Sequence, residues 1–293
     1  MAQARIGFIG LGVMGEPICR NIMVGSGQPF TVFDLADAPL QRMAGHGAKV
    51  AASVREVVEN SDIVFLSLPG GPEVEQIVLG EDGVQENGRE GQRVIDLSTT
   101  PVDLTRDLAN KLAEKGLRFA DAPVARTRQA AEDGTLSIMV GSDQALFDEI
   151  RPYLAHTASE VTHCGAVGCG QVVKILNNMV LFETVVALAE ALNIGEAAGV
   201  ERTTLFETLS KGSADSFALR NHGMKAMLPD NFPQGAFPTD YAIKDCSYAL
   251  ALAAHVNMKA PGASHALSML RTASEAGFGK EYFPVLARVT GKA

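Results

Sequence analysis

The four cysteines, Cys19, Cys164, Cys169 and Cys246, form no Cys-x-x-Cys pair, and Cys19 and Cys246 sit inside helical patterns. That spacing argues against a disulfide framework and a zinc ligand set, so no metal is expected and the thiols are those of a reduced, cytoplasmic protein. Positive charge is in short supply: 25 Lys and Arg face 34 Asp and Glu, for a net charge of -9. Such a chain has no broad footprint for nucleic acid or an anionic membrane, although a small basic pocket can still hold an anion. The N-terminal MAQARIGFIG has one basic residue and then a glycine-punctuated apolar run too short for the core of an export signal. Repeats, low-complexity tracts and a disordered tail are also missing. No clean membrane span is present either, because Lys174, Asn177, Asn178, Glu183 and Glu190 interrupt the longest apolar stretch, residues 171–194.

What the sequence does hold is an ordinary globular composition, 46% hydrophobic and 20% charged, over 293 residues, enough for two domains. Residues 5–9 form a short apolar run that leads into Gly10-Leu11-Gly12-Val13-Met14-Gly15 and a helical pattern through Met23. Strand, GxGxxG and helix in that order let the backbone approach a pyrophosphate, which the helix N-terminus stabilises. A second strand over residues 30–33 ends at Asp34, 24 residues beyond Gly10, where a carboxylate can accept hydrogen bonds from ribose hydroxyls and repel a 2′-phosphate. No arginine follows until Arg42, so NAD is expected rather than NADP.

Helices near 53–60, 71–79, 101–115 and 144–155 alternate with strands at 63–68, 93–96, 117–120, 134–141 and 160–163. This rhythm predicts a doubly wound α/β sheet, in which ligands collect beyond the carboxyl ends of the strands. Leu68-Pro69-Gly70-Gly71 offers a backbone shelf for a flat ring, and Ser98-Thr99-Thr100-Pro101 offers hydroxyls before a helix start. After residue 164 everything reads as helix apart from a Pro/Gly-rich loop at 228–238. The expected division is a nucleotide-binding domain over 1–164 and an all-helical domain over 165–293, joined by a long helix over about 169–195.

That helix has no Pro or Gly from 171 to 194, and its apolar residues lie almost all round the helical wheel, which predicts burial on most sides. Lys174, Asn177 and Asn178 stand at i, i+3 and i+4 on one face. Such a polar group either satisfies itself and the nearby backbone or faces a ligand cavity.

These residues resemble the β-hydroxyacid dehydrogenase family, which includes 3-hydroxyisobutyrate dehydrogenase. GFIGLGVMGEPICRNI is similar to its cofactor motif, DAPVARTRQAAEDGTL to its substrate motif, GAVGCGQVVKILNN to its catalytic motif and DYAIKDCSYAL to its C-terminal Lys-Asp motif. The resemblance implies a Rossmann-type domain, a connecting helix that carries a general acid/base, Lys174, and an all-helical domain that closes over the substrate; separately, the long apolar helices of residues 165–293, with little sheet to cover them, predict assembly into a homodimer or homotetramer. It implies that Asn178, with Asn177, bonds the substrate, that Lys244 lies near cofactor and substrate, and that Thr99 lies near the nicotinamide ribose. Imine reductases share the architecture but lack the lysine, and phosphogluconate dehydrogenases carry Lys-x-x-His-Asn where this chain has Lys174-Ile-Leu-Asn177-Asn178.

One motif departs from the family. Its substrate loop is Ser-Gly-Gly after Asp-Ala-Pro-Val, whereas this chain has Ala125-Arg126-Thr127. The Arg-Thr version resembles the branch represented by sulfolactaldehyde reductase, in which a guanidinium helps hold a sulfonate. The expected function is therefore NAD-dependent hydride transfer on a small anionic 3-hydroxy acid or its aldehyde, with a sulfonate among the candidates. The alternatives are a 3-hydroxyisobutyrate or 2-hydroxymethyl acid (tartronate semialdehyde-type) dehydrogenase and, from another class, a nucleotide-sensing protein without catalysis.

Overall fold

The computed structural model describes residues 4–291; the first three residues of the N-terminal stretch and the last two of the chain lie outside it. Strands β1 (Ile6–Ile9), β2 (Phe30–Phe33), β3 (Lys49–Val50), β4 (Ile63–Leu66), β5 (Arg93–Asp96), β6 (Arg118–Asp121), β7 (Val124–Ala125), β8 (Leu136–Gly141) and β9 (Ala158–Gly165) build one sheet. Between them run α1 (Gly15–Ser26), α2 (Asp37–Gly45), α3 (Val54–Glu59), α4 (Gly71–Leu79), α5 (Val84–Asn87), α6 (Val102–Ala113), α7 (Arg128–Glu132) and α8 (Gln144–Leu154). The strand order is β3-β2-β1-β4-β5-β6-β8-β7, with β9 on β8. β1 to β6 are parallel, β8 is antiparallel to β6 and β7, and β9 is parallel to β8.

The central strands are apolar on both faces because both faces are covered. Every residue of β1 and β4 is buried, and the two strands pair in register from Ile6 opposite Ile63 to Ile9 opposite Leu66. Ile18 and Ile22 of α1 with Leu146 and Ile150 of α8 pack on one side, while Val57 of α3, Val74 of α4 and Leu108 of α6 pack on the other. The edge strand β3 is exposed and short, which limits its use as a template for further pairing. The strand order reverses between β1 and β4, the position at which a doubly wound sheet opens a crevice.

Contacts divide the chain into two compact units, Met1–Lys174 and Ile175–Ala293. The division falls inside α9 (Cys169–Ala197) and not ahead of it, since Gly168 and Gln171 bond to the sheet side of the first unit. The second unit is helical: the rest of α9, α10 (Arg202–Leu209), a π-helical stretch Leu219–Met227, α11 (Thr239–His255), α12 (Pro261–Ala273) and a 3-10 turn Phe283–Arg288. Phe182, Val185, Ala189 and Leu192 of α9 pack with Phe206, Leu219, Phe283 and Leu286 in its core. The expectation that α9 is buried on most sides is corrected here. Leu176 (39% exposed), Val180 (58%) and Ile194 (68%) face outward. Apolar residues all round a wheel record a helix that avoids water, but they do not say whether its cover comes from the same chain.

Candidate active site

Gly10 closes the turn after β1 at φ 94°, and a Cβ there would lie 2.2 Å from the carbonyl oxygen of Ser67. No side chain fits that approach of β1 to the end of β4. Gly12 is different: a Cβ built on it meets no heavy atom within 4 Å. The loop 10–15 thus has one side packed on the sheet and one open side in front of the first turn of α1, whose backbone N–H groups suit a phosphate. Leu11 is buried in this loop, Val13 is exposed and Met14 is partly buried.

Asp34, after β2, holds the loop in place. Its Oδ2 accepts from the Leu11 amide at 2.5 Å and its Oδ1 from the Ala36 amide at 2.8 Å. Each carboxylate oxygen has a second lone pair, so these bonds leave capacity for a ribose hydroxyl. Arg42 is turned toward Glu16, with Nε and Nη2 donating to the two carboxylate oxygens at 2.5 and 2.7 Å.

The ends of β4, β5 and β6 are knitted together by buried polar groups. The Leu68 amide donates to Ser98 Oγ at 2.9 Å, while Pro69 beside it is exposed. Asp96 accepts from the Ser98 amide at 2.9 Å and the Thr100 hydroxyl at 2.7 Å, leaving Thr99 as the partly exposed residue between two buried ones. Gln171, in the first turn of α9, grips the same loop: its Nε2 donates to Ser98 O at 2.8 Å and its Oε1 accepts from the Thr100 amide at 3.1 Å. Asp121, at the end of β6, accepts from the amides of Gly168 and Gln171 at 2.7 and 2.8 Å. Burial raises the Asp121 carboxyl to about 6, against the lowering effect of those amides and with the charge of Asp96 adding to the rise. Lys174 follows one turn later on α9 and is partly buried.

The substrate-motif residues bond within the first unit. Ala125 is buried in β7. Arg126 is exposed, at φ 90°, and its Nη1 donates to the Thr135 carbonyl and, at 2.8 Å, to Ser159 Oγ. Thr127 is the N-cap of α7, accepting from the Ala130 amide at 3.3 Å.

In the helical unit a chain of polar groups connects α9 to α11. Asn177 Nδ2 donates to Asn178 Oδ1 at 3.1 Å, and Asn178 Nδ2 donates to Asp245 Oδ2 at 2.8 Å. Lys244 pairs with Asp245 Oδ1 at 3.2 Å, and its ammonium lies 5.1 and 5.5 Å from the ring centres of Tyr241 and Tyr248. The structure therefore joins Asn177, Asn178 and Lys244 through a carboxylate that the sequence reading passed over. Asp245 was open to detection as the acidic half of the Lys-Asp motif, on the buried side of α11. Gln171 and Asp121 were also missed; their signal was a polar residue three positions before Lys174 and an aspartate at the end of an apolar strand. Among the described residues no group of three His, Cys, Asp or Glu is arranged to hold a metal ion.

Similar proteins of known family cover nearly the whole chain. The profile described as the NAD binding domain of 6-phosphogluconate dehydrogenase matches residues 5–165. The profile described as NAD-binding of NADP-dependent 3-hydroxyisobutyrate dehydrogenase matches residues 168–289. The 2-(hydroxymethyl)glutarate dehydrogenase of Eubacterium barkeri is 34% identical over 97% of this chain and 94% of its own length. The 2-hydroxy-3-oxopropionate reductase of Escherichia coli is 32% identical over 93% of this chain and 92% of its own. A solved structure of Mycobacterium tuberculosis 3-hydroxyisobutyrate dehydrogenase with L-serine superposes with a TM-score of 0.89 at 30% identity, covering 99% of this chain and 100% of that one. With the two profiles together matching residues 5–165 and 168–289 and relatives covered over more than nine-tenths of their own length, the chain belongs to the β-hydroxyacid dehydrogenase family and is a nicotinamide-dependent oxidoreductase.

Proposed function

We propose that the enzyme transfers a hydride between NAD and a small anionic 3-hydroxy acid or its aldehyde, with Lys174 as the acid/base. The observation that carries this reading is the position of Lys174 directly after a helical turn bonded to the carboxyl ends of β5 and β6, the edge of the sheet where ligands collect. Gly10, Leu11, Gly12, Val13, Met14 and Gly15 would hold the dinucleotide on the open side of the glycine loop, with Asp34 at the adenosine ribose, Leu68 and Pro69 along the shelf, and Thr99 near the nicotinamide ribose. A bound nicotinamide supplies the hydride to a carbonyl carbon or accepts it from an alcohol carbon. Lys174 takes the hydroxyl proton in the oxidising direction and returns it in the reducing one. Asn178, with Asn177, and Lys244 orient the substrate, and Asp245 fixes the Asn178 carboxamide.

NAD is favoured over NADP because a 2′-phosphate would meet the Asp34 carboxylate, while Arg42 is paired with Glu16. The discrimination in kcat/KM should be ~10-fold or more, about 1.4 kcal/mol. For the anionic end of the substrate, Arg126 is the reader: two bonds at Nη1 engage only part of a five-donor fork. The Arg-Thr loop favours a sulfonate such as sulfolactaldehyde. A second reading, a carboxylate of the 3-hydroxyisobutyrate or 2-hydroxymethyl type, is favoured by the names of the relatives. A nucleotide-sensing role without catalysis is set aside, since relatives of matching length are dehydrogenases and reductases. The proposal includes a cytoplasmic location and a homodimer or homotetramer.

The test is Lys174→Ala assayed beside the wild type against carboxylate and sulfonate alcohols with NAD and NADP. Loss of ~10²-fold or more in kcat with NADH binding retained is expected for a general acid/base. A near-native kcat would remove Lys174 from the mechanism, and equal use of both cofactors would remove Asp34 from cofactor choice.

A further inference from the structure

Three fully buried polar side chains, Asp96, Asp121 and Gln171, meet where α9 begins, and none belongs to the proton-transfer or substrate groups named above. Burying them is costly unless every bond is made. All three are engaged. The Gln171 carboxamide makes two bonds to the backbone on either side of Thr99, as donor to Ser98 O and acceptor from the Thr100 amide. Its backbone amide, with that of Gly168, is taken by Asp121. The approach is as close as backbone allows: a Cβ on Gly170 would lie 2.4 Å from Met139 O and 2.8 Å from Asp121 Oδ2.

We infer that Gln171 is a positioning residue for the reaction: it locks the rotation and height of the first turn of α9 against the loop after β5, and so sets where the Lys174 ammonium stands relative to Thr99. An apolar residue could fill the same volume, but it would accept a range of helix rotations. Two directional bonds from the carboxamide and two from Asp121 accept one. A rotation of α9 by a single residue, about 100°, breaks all four. Displacement of a reacting group by about 1 Å can cost ~10²-fold in rate, so a lock of this kind acts on kcat and not on the existence of the fold.

The inference rests on the acid/base reading of Lys174, and the experiment separates the two. Gln171→Glu, Gln171→Met and Lys174→Ala are compared with wild type in kcat, in the primary deuterium isotope effect with 4-deuterated NADH, in thermal stability and, without cofactor, in hydrogen exchange at the Thr100 amide. Gln171→Glu sets an oxygen against Ser98 O, and Gln171→Met leaves both loop groups without their partner. Each should lower kcat by ~10-fold or more and raise the isotope effect, as hydride transfer becomes the slower step. Exchange at Thr100 should quicken by ~10-fold or more in Gln171→Met. A protonated carboxyl can donate to Ser98 O again, so the deficit of Gln171→Glu relative to wild type should shrink as the pH is lowered, the flanking Asp96 and Asp121 favouring that proton. Should Gln171→Met fail to fold, the pH-dependent recovery of Gln171→Glu still decides. A native kcat in the Gln171 variants beside an inactive Lys174→Ala overturns the positioning role alone. Lys174→Ala with native kcat overturns both readings. Loss of thermal stability with an unchanged isotope effect and no recovery at low pH reduces Gln171 to a structural contact, which also overturns it.

Discussion

A non-glycine residue at φ 90° is held there by its surroundings, and Arg126 is such a residue. The family pattern has glycine at this position, for which the angle costs nothing. Here the strain is offset by bonds from the guanidinium to Thr135 O and Ser159 Oγ. Two substitutions separate the terms. Arg126→Ala loses the bonds and keeps the strain, whereas Arg126→Gly loses the bonds and relieves it, so the glycine variant should be the more stable of the two by about 1 kcal/mol in chemical denaturation. Both should raise KM for an anionic substrate by ~10-fold or more and leave an uncharged analogue nearly unaffected. Equal losses on the two substrates would show that Arg126 supports the loop without reading charge. At this scale placement was legible in a local frame: the glycine loop directly after β1, Asp34 directly after β2 and Lys174 in the early turns of α9. Asp245, Gln171 and Asp121 carry only a faint local signal, because their bonding partners lie far along the chain. Asn178 and Asp245 are 67 positions apart, and Gln171 and Ser98 are 73.

Some elements were legible to the residue. Strands 30–33 and 93–96 and helix 71–79 match β2, β5 and α4 residue for residue. The two-residue strands β3 and β7 and the short helices α5 and α7 escaped notice, since so few residues show no period, and the nine-residue α2 was not read either. β9 was read as 160–163 but runs from Ala158 to Gly165, because pairing along β8 extends it past its apolar centre. The outward stripe of α9 in the helical unit, Leu176, Val180 and Ile194, predicts an intermolecular face. Val180→Glu with Ile194→Glu should shift the mass found by light scattering at micromolar concentration toward a monomer while helical content is retained. A wild type that is already monomeric would contradict the prediction.

For the whole molecule, two buried groups pull the acid response in opposite directions. His222 packs against Phe217, Tyr282 and Phe283, its Nδ1 shares a hydrogen bond with the Tyr282 hydroxyl, and burial pushes it from 6.5 down to about 4. The stability that its neutral ring contributes is present above pH 6.5 and is lost as pH falls toward 4, because the unfolded state takes up the proton first. Asp121 is the reverse: raised from 3.8 to about 6, its contribution is present below 3.8 and is lost as pH rises through 6. Between pH 4 and 6 the two largely cancel. His222→Gln removes one side, so the stability difference between variant and wild type should move in the variant's favour by about 1.4 kcal/mol per pH unit as the pH is lowered from 6 to 4.5. Denaturant titrations at three pH values measure it, and parallel curves would show that His222 is solvated.

The two units share one unbroken helix, and this limits how the gene can be taken apart. A chain stopped at Lys174 would end in a stub of less than two turns of α9, far short of the ~12 residues an isolated helix needs to persist in water. The amides of Gly168 and Gln171 would then fray away from Asp121, and the nucleotide-binding half would lose the order at its own ligand edge. A chain begun at Ile175 would start in mid-helix with no cap for its first amides. Recombination between Lys174 and Ile175 therefore yields two halves that each lack part of the helix they shared.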